Sequence, residues 1–253
     1  MKTHRTRSLR FASLLLVAML CFASAAQAGP PLICHLIEIG QAKSLPWISH
    51  SWNLSGNENY EVKNLVRDTL EILGPEAPVL VRMETIRRAT LYARKDPMVA
   101  KELLARLYAR ANAAEASGHP NALAWFDVGY LAETYKQWIG QPWMRVNKDE
   151  QNPAAGIDGY AFVKTAIALR GMDPQMEFAA AMITLSGPQD EHRQYAQDAI
   201  VGGKNDSLLA QNLASHFIGP QTETSSRTDS LEIAEKGAAV PRPHKPGLSN
   251  GVA

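Results

Sequence analysis

The sequence predicts an all-α protein in which antiparallel helix pairs stack into a repeat-like array or an irregular bundle. Apolar residues recur at helical spacing through most of 58–218, and Asp-Pro, Gly-Pro and Gly-Gly pairs separate the periodic segments. No sustained alternation of β-branched residues lies between turn signals, so no sheet is expected. We therefore predict a helical domain over 58–218, with a long irregular loop at about 140–157.

Three helices open this domain. Residues 58–73 carry an apolar stripe and end at Gly74-Pro75, and a second periodic segment covers 79–94. Asp96-Pro97 begins the third, because Asp accepts the unpaired N–H groups of a first turn and Pro has no N–H to leave unpaired. The charged residues of the second helix predict a solvated outer face; they are Arg82, Glu84, Arg87, Arg88 and Arg94.

The segment 121–138 is apolar around most of its helical circumference, which predicts a central helix packed on several sides. Asp127 lies within it, and a buried partner such as Arg82 or Arg87 would account for this carboxylate. Shorter helices are expected after the loop, at about 160–170, 174–185, 189–201 and 206–217. Pairs of these helices recur about every 31 residues, close to the period of two-helix solenoid repeats.

Residues 1–28 have the pattern of a secretory signal peptide. A basic start precedes the apolar run Phe11–Phe22, and Ala26-Gln27-Ala28 provides small residues for cleavage before Gly29. The alternatives are a membrane anchor, which needs about 20 apolar residues, and a lipid anchor on Cys21, which follows Leu20 instead of a small residue. The prediction is an exported protein, periplasmic or extracellular, with no membrane span after cleavage.

Removal of the signal peptide changes the charge and the cysteine content. The chain has 26 Lys and Arg and 25 Asp and Glu, and residues 1–28 hold four of the basic residues, which leaves 22 against 25 and a net charge of −3. Such a surface gives no electrostatic reason to bind nucleic acid. Cys34 is then the only cysteine, so it must pair between chains, hold a ligand or be buried and inert.

The ends of the mature chain are predicted to lie outside the helical domain. Residues 29–57 contain Pro30-Pro31, Trp47 and Trp52 and few periodic positions, which predicts an extended arm packed by its aromatic side chains. Residues 219–253 contain few large apolar residues and are rich in Ser, Thr, Pro and charge. They should form a disordered tail, because they have too little surface to bury.

Cys34-His35 is the candidate metal site, because thiolate and imidazole are good ligands for transition metals or haem iron. A complete site needs further donors from His50, His119, His192, His216 or a Met, and none stands at a recognised spacing. Pro31 occupies the first cysteine position of the c-type haem motif. The alternatives are a buried structural thiol and a nucleophilic cysteine, although no catalytic signature surrounds Cys34.

Two local resemblances accompany these patterns. Trp125-x-x-Val128-Gly129 resembles the opening of a tetratricopeptide repeat over about eight residues, with Ala132 where that motif has Tyr, and it implies stacked helix pairs. Gly29–His35, a GPPL-x-CH segment, and Lys43–Trp47 resemble an uncharacterised class of bacterial exported proteins. That resemblance implies export and a shared arm and carries no activity.

The predicted function is protein or peptide binding, or scaffolding, by an exported helical array. Phosphate-binding loops, dinucleotide fingerprints, HExxH, GxSxG and EF-hand patterns are missing from the sequence, so no catalytic residue is assigned. The alternative is a metal- or haem-binding protein that uses Cys34 and His35. A third hypothesis is an enzyme, such as a hydrolase, whose residues come together only in the fold.

Overall fold

The computed structural model describes residues 30–48, 54, 56–146 and 148–218. This part of the chain is helical and contains no β-strand, which confirms the all-α prediction. The predicted signal peptide and the predicted tail, 219–253, lie outside the described residues. The helices are α1 Pro31–Cys34, α2 Leu65–Ile72, α3 Val79–Ala93, α4 Pro97–Ala116, α5 Ala122–Gly140, α6 Gly159–Arg170, α7 Pro174–Thr184, α8 Gln189–Gly202 and α9 Ser207–Leu213.

Two aspartates cap helices as their Asp-Pro pairs predict. The Asp96 side chain accepts hydrogen bonds from the backbone N–H groups of Met98 and Val99 at the start of α4. At the start of α7, Asp173 accepts from Gln175 and Met176. After α9 the chain continues as a π-helical turn, Ala214–Ile218. None of the helices in the described ranges is long and apolar enough to cross a membrane.

Helix α2 begins later than the apolar stripe predicts. Its first turn is the 3₁₀ helix Val62–Asn64, and α-helical geometry starts at Leu65 instead of residue 58. The preceding residues are held against α3: the Asn57 N–H donates to the Tyr92 hydroxyl at 2.8 Å, and the Tyr60 ring lies 4.5 Å from the Tyr92 ring. These contacts outweigh the helical preference of the segment.

Helix α5 forms the centre of the core and packs against α3, α4 and α6. Its residues from Ala124 to Trp138 are mostly buried, as the sequence predicts. α6 runs antiparallel to α5, because Phe162 contacts Trp125 near the start of α5 while Tyr160 N–H binds Glu133 further along it. α7 and α8 form a second antiparallel pair, whose close packing places Gly202 of α8 against Pro174 of α7.

The N-terminal arm is packed mainly by aliphatic residues, and it begins with a helical turn, α1. Its fully buried side chains are Leu32, Ile33, Ile37 and Leu45. Trp47 is half-buried and lies with its edge towards Tyr92, at 5.7 Å between ring centroids. The prediction of an arm packed by aromatic residues is thus only partly correct; Trp52 lies outside the described residues.

The solvated arginine face predicted for α3 is wrong. Arg82, Glu84 and Arg87 are between 0% and 2% exposed. The arm and α5 cover this face, and they supply backbone carbonyls and a carboxylate that pair with the charged groups. A charge pattern on a helix does not distinguish solvent from buried partners contributed by distant segments.

Candidate functional site

The Cys34 thiol is buried at the end of α1, with 5% of the residue exposed. Burial raises the pKa of this thiol, although the nearby guanidinium groups of Arg87 and Arg94 favour the thiolate. Since the thiolate is the nucleophile and the metal ligand, a protonated buried thiol is poorly suited to either role. The environment of Cys34 is that of a structural cysteine.

The neighbouring His35 faces His216, one of the four histidines that the sequence offers as further donors but places at no recognised spacing. The two ring centroids lie 5.5 Å apart. The Nδ1–H of His216 donates to the Asn212 carbonyl oxygen at 2.8 Å, and its Nε2 atom is buried without a hydrogen-bond partner in the described ranges. Burial lowers the pKa of both imidazoles, which favours their neutral forms.

The described residues contain no group of three or more His, Cys, Asp or Glu side chains placed to hold a metal ion. Cys34 and His35 remain the sequence-predicted ligands for a transition metal or haem, and His216 is the imidazole that the fold adds beside them. The metal assignment therefore stays a prediction, and the buried thiol does not support it.

A buried polar network on α3 fastens the arm to the helical domain. The Glu84 carboxylate accepts from the Ile37 N–H at 3.0 Å and from the Arg87 and Arg88 guanidinium groups at 2.6–2.9 Å. Arg87 also donates to the Ile33 carbonyl at 3.0 Å, and Arg88 to the Leu45 carbonyl at 2.6 Å. All these groups are occupied by protein contacts, so this network is structural.

Asp127 is the second buried charge cluster. Its Oδ2 atom accepts from Arg82 at 2.6 Å and from Arg110 at 2.9 Å, which confirms Arg82 as its partner. Burial raises the pKa of Asp127, while the two guanidinium groups act in the opposite direction. The carboxylate is closed to solvent, so it has no access to a substrate.

An open groove of about 710 Å³ lies at one end of the helical domain, where the N-termini of α3, α5, α7 and α9 meet. It is lined by Pro75–Val79, Leu123, Arg170, Met172–Gln175 and Asp206. A recess of about 380 Å³, which includes Lys43, Glu71 and Val81, is also lined by the 75–78 loop.

Hydrogen bonds hold the polar residues of the groove in place. Gln175 accepts from the Leu80 N–H at 3.1 Å through Oε1 and donates to Asp206 at 2.7 Å through Nε2, so it joins α3, α7 and α9. Asp173 caps α7 and also accepts from Arg170 at 2.5 Å. The groove is therefore built on rigid helix ends.

The groove offers charged and apolar side chains for recognition of a ligand. Its lining contains no His, Cys, Ser or Tyr that could act as nucleophile or general base. Two of its carboxylates cap helices, and Glu76 and Met172 are exposed, Met172 by 91%. The Met172 side chain and the Glu76 carboxylate, which caps no helix, are thus available to a ligand.

Sequence reasoning did not find this groove, because its walls come from four helices separated along the chain. The only sequence signal was the alternation of helices, which places every second N-terminus at the same end of an antiparallel array. Comparison with known proteins does not supply a function: no protein-family model, curated protein or solved structure matches this chain.

Proposed function

We propose that this protein is exported and binds an extended segment of a partner protein in the groove between the N-termini of α3, α5, α7 and α9. The single observation that carries the proposal is the groove itself. Its volume of about 710 Å³ lies within the range of ligand sites, and its walls are fixed by the Gln175 bridge and the Asp173 cap. A prearranged groove lowers the entropic cost of binding a flexible segment.

The chemistry of the rim favours a segment with one basic and one apolar side chain. The formal charge of the lining is −2, from Glu76, Asp173 and Asp206 against Arg170. The two aspartates neutralise helix N-termini, so Glu76 supplies the negative charge left for a ligand. Met172, Leu123 and the prolines of the 75–78 loop provide apolar contact.

The binding test uses a random 12-residue peptide library displayed on phage and selected on the purified protein. Selected peptides are resynthesised, and their Kd values are measured by fluorescence anisotropy against Met172→Glu and Glu76→Lys. Each loss of a buried contact or a charge pair should weaken binding about tenfold, which corresponds to about 1.4 kcal/mol. Both substituted side chains are exposed, so the fold should be retained.

Met98→Glu and Glu58→Lys are the matched controls. Met98 is 71% exposed in the first turn of α4, at the opposite end of α3 from the groove, and Glu58 is exposed ahead of α2. Selected peptides should bind these variants as tightly as the original protein. Peptides without enrichment of Lys or Arg, or affinities that do not respond to Met172→Glu and Glu76→Lys, would contradict the proposal.

Export is tested separately. Expression of the full chain in a bacterial host, followed by fractionation and N-terminal sequencing, should yield an exported form that begins at Gly29. A cytoplasmic, uncleaved product would refute export and would leave the peptide-binding proposal to be judged by its own experiment.

A further inference from the structure

A small pocket adjoins the candidate groove and carries two arginines in its wall. It has a volume of about 100 Å³ and shares Pro75 and Leu123 with the groove. Arg82, Arg110 and Asn121 are its polar lining residues, and we call it the arginine pocket. We propose that the arginine pocket binds a carboxylate group of the segment that occupies the groove. This inference rests on the proposed function, because it adds one recognised chemical group to the same bound segment.

The charges at the arginine pocket do not balance within the protein. Arg82 and Arg110 both donate to the Oδ2 atom of Asp127, at 2.6 Å and 2.9 Å. Within the described ranges, neither guanidinium forms an ion pair with another carboxylate, and no acidic residue lines the pocket. One carboxylate therefore faces two guanidinium groups, and a carboxylate from a ligand would neutralise the positive charge that is left.

Arg110 is the arginine that a ligand can reach. Its side chain is 36% exposed, whereas that of Arg82 is 1% exposed. The Nη2 atom of Arg110 donates to the Leu73 carbonyl at 2.7 Å and to Asp127, and these two bonds hold the guanidinium in place. Its Nε–H and Nη1–H groups have no acceptor in the described part of the chain, so three of its five donors remain for a ligand.

Asn121 adds a neutral donor to the wall of the arginine pocket. Its side-chain oxygen caps α5 by accepting from the Ala124 N–H at 3.0 Å, which fixes the orientation of the amide. The amide NH₂ group has no acceptor among the described residues. Carboxylate oxygens only accept hydrogen bonds, so they match both the amide of Asn121 and the free donors of Arg110.

The groove beside the arginine pocket carries the opposite charge. Glu76 supplies the negative charge that the groove leaves for a ligand, and Arg110 supplies the positive charge of the pocket. Because Pro75 lies in both walls, one bound segment can place a basic side chain at the groove and a carboxylate at the pocket. The carboxylate can come from an Asp or Glu side chain or from the end of the chain, and the experiment distinguishes these sources.

The test neutralises the carboxylates of the peptide one at a time. Peptides are selected from the library used for the groove and from a second library that presents a free C-terminus. Each peptide is then resynthesised with an aspartate changed to asparagine, a glutamate to glutamine or the C-terminus to an amide. In the original protein, one of these changes should raise the Kd about tenfold, as expected for the loss of a hydrogen-bonded charge pair. The change that does so identifies the source of the carboxylate.

Arg110→Met should reduce this effect to less than about twofold, because the charge that recognises the carboxylate is gone. Arg106→Met is the matched control: Arg106 lies one turn earlier on α4, pairs with Glu102 at 3.6 Å and does not line the pocket. It should keep the full effect. The charged and neutralised peptides are compared within each variant, so a change in its stability does not alter the comparison, and the comparison in the original protein needs no variant.

The outcomes separate this inference from the proposed function. Peptides that respond to Met172→Glu and Glu76→Lys but bind equally well after every neutralisation would overturn the carboxylate site and leave the proposed function intact. An equal effect of neutralisation in Arg110→Met and in the original protein would also overturn it. If neither library yields a peptide that binds, both proposals fail.

Discussion

Replacement of Gly129 by alanine should destabilise the protein, whereas the same replacement at Gly140 of the same helix should not. Gly129 lies where α5 crosses α6. A Cβ atom built on it would stand 2.5 Å from the Gly159 carbonyl oxygen and 2.9 Å from the Val163 nitrogen. Both are backbone atoms of α6, so a side-chain rotation cannot relieve the contact. A Cβ on Gly140 meets nothing within 4 Å.

The expected magnitude combines two opposing effects. To restore an ordinary contact of 3.4 Å, the two helices must separate by about 0.9 Å, which forfeits a quarter to a half of the dispersion energy between facing side chains along the contact. Overpacking of this kind costs about 3 kcal/mol, at the upper end of the usual range. Alanine regains about 1 kcal/mol of helix propensity, so the net loss should be about 2 kcal/mol.

The assay is unfolding by heat and by urea, each followed by circular dichroism, with the urea midpoints compared at a constant slope. Gly129→Ala should lower the melting temperature by about 4–8 °C, and Gly140→Ala should leave it unchanged or raise it. Gly159→Ala should resemble Gly129→Ala, because its Cβ would stand 2.5 Å from the Gly129 carbonyl oxygen. The double variant should lose less stability than the sum of the two single losses, since one separation of the helices relieves both contacts. Equal stability of Gly129→Ala and the original protein would refute this account of the helix crossing.

Two substitutions, followed by the same unfolding assay, and one labelling experiment test other buried groups. Arg82→Met should lower the free energy of unfolding by about 3–5 kcal/mol, because it leaves the buried Asp127 carboxylate with Arg110 as its remaining ion-pair partner. The control Arg106→Met removes an exposed ion pair and should cost less than about 1 kcal/mol. Similar losses in the two variants would contradict a buried charge cluster. Glu177→Gln should stabilise the protein by about 1 kcal/mol at pH 7, because the Oε2 atom is buried without a hydrogen-bond partner in the described ranges. Burial raises the pKa of this carboxyl, so the advantage of the glutamine should shrink as the pH falls and the glutamate becomes neutral. Cys34 should resist iodoacetamide at pH 8 in the folded protein and react fully in denaturant, which intact-mass spectrometry can measure. Rapid labelling of the folded form would disprove a buried thiol with a raised pKa.

The elements that sequence reasoning predicted well are those fixed by local chemistry. Asp96-Pro97 and Asp173-Pro174 mark helix starts because the capping hydrogen bonds lie within three residues of each aspartate. The apolar circumference of residues 121–138 identified the central helix because burial on every side leaves no polar stripe. In both cases the residues that determine the structure are neighbours along the chain.

The errors arose where distant segments supply the partners. The helical pattern predicts that Arg87 is solvated, because the sequence does not show that its guanidinium donates to the Ile33 carbonyl of the arm at 3.0 Å. The start of α2 was misplaced because the Tyr92 hydroxyl, 35 residues away, holds the Asn57 N–H. His35 and His216 are separated by most of the domain, so neither spacing nor periodicity could bring them together.

The shape of the candidate groove depends on the position of α9. Asp206, the N-cap of α9, forms one wall of the groove and accepts from Gln175, while Asn212 and His216 contact the arm near the other end of the same element. A change in the position of α9 would therefore move a wall of the groove. Because Gln175 also binds the Leu80 N–H at the start of α3, the opposite wall would lose part of its support at the same time.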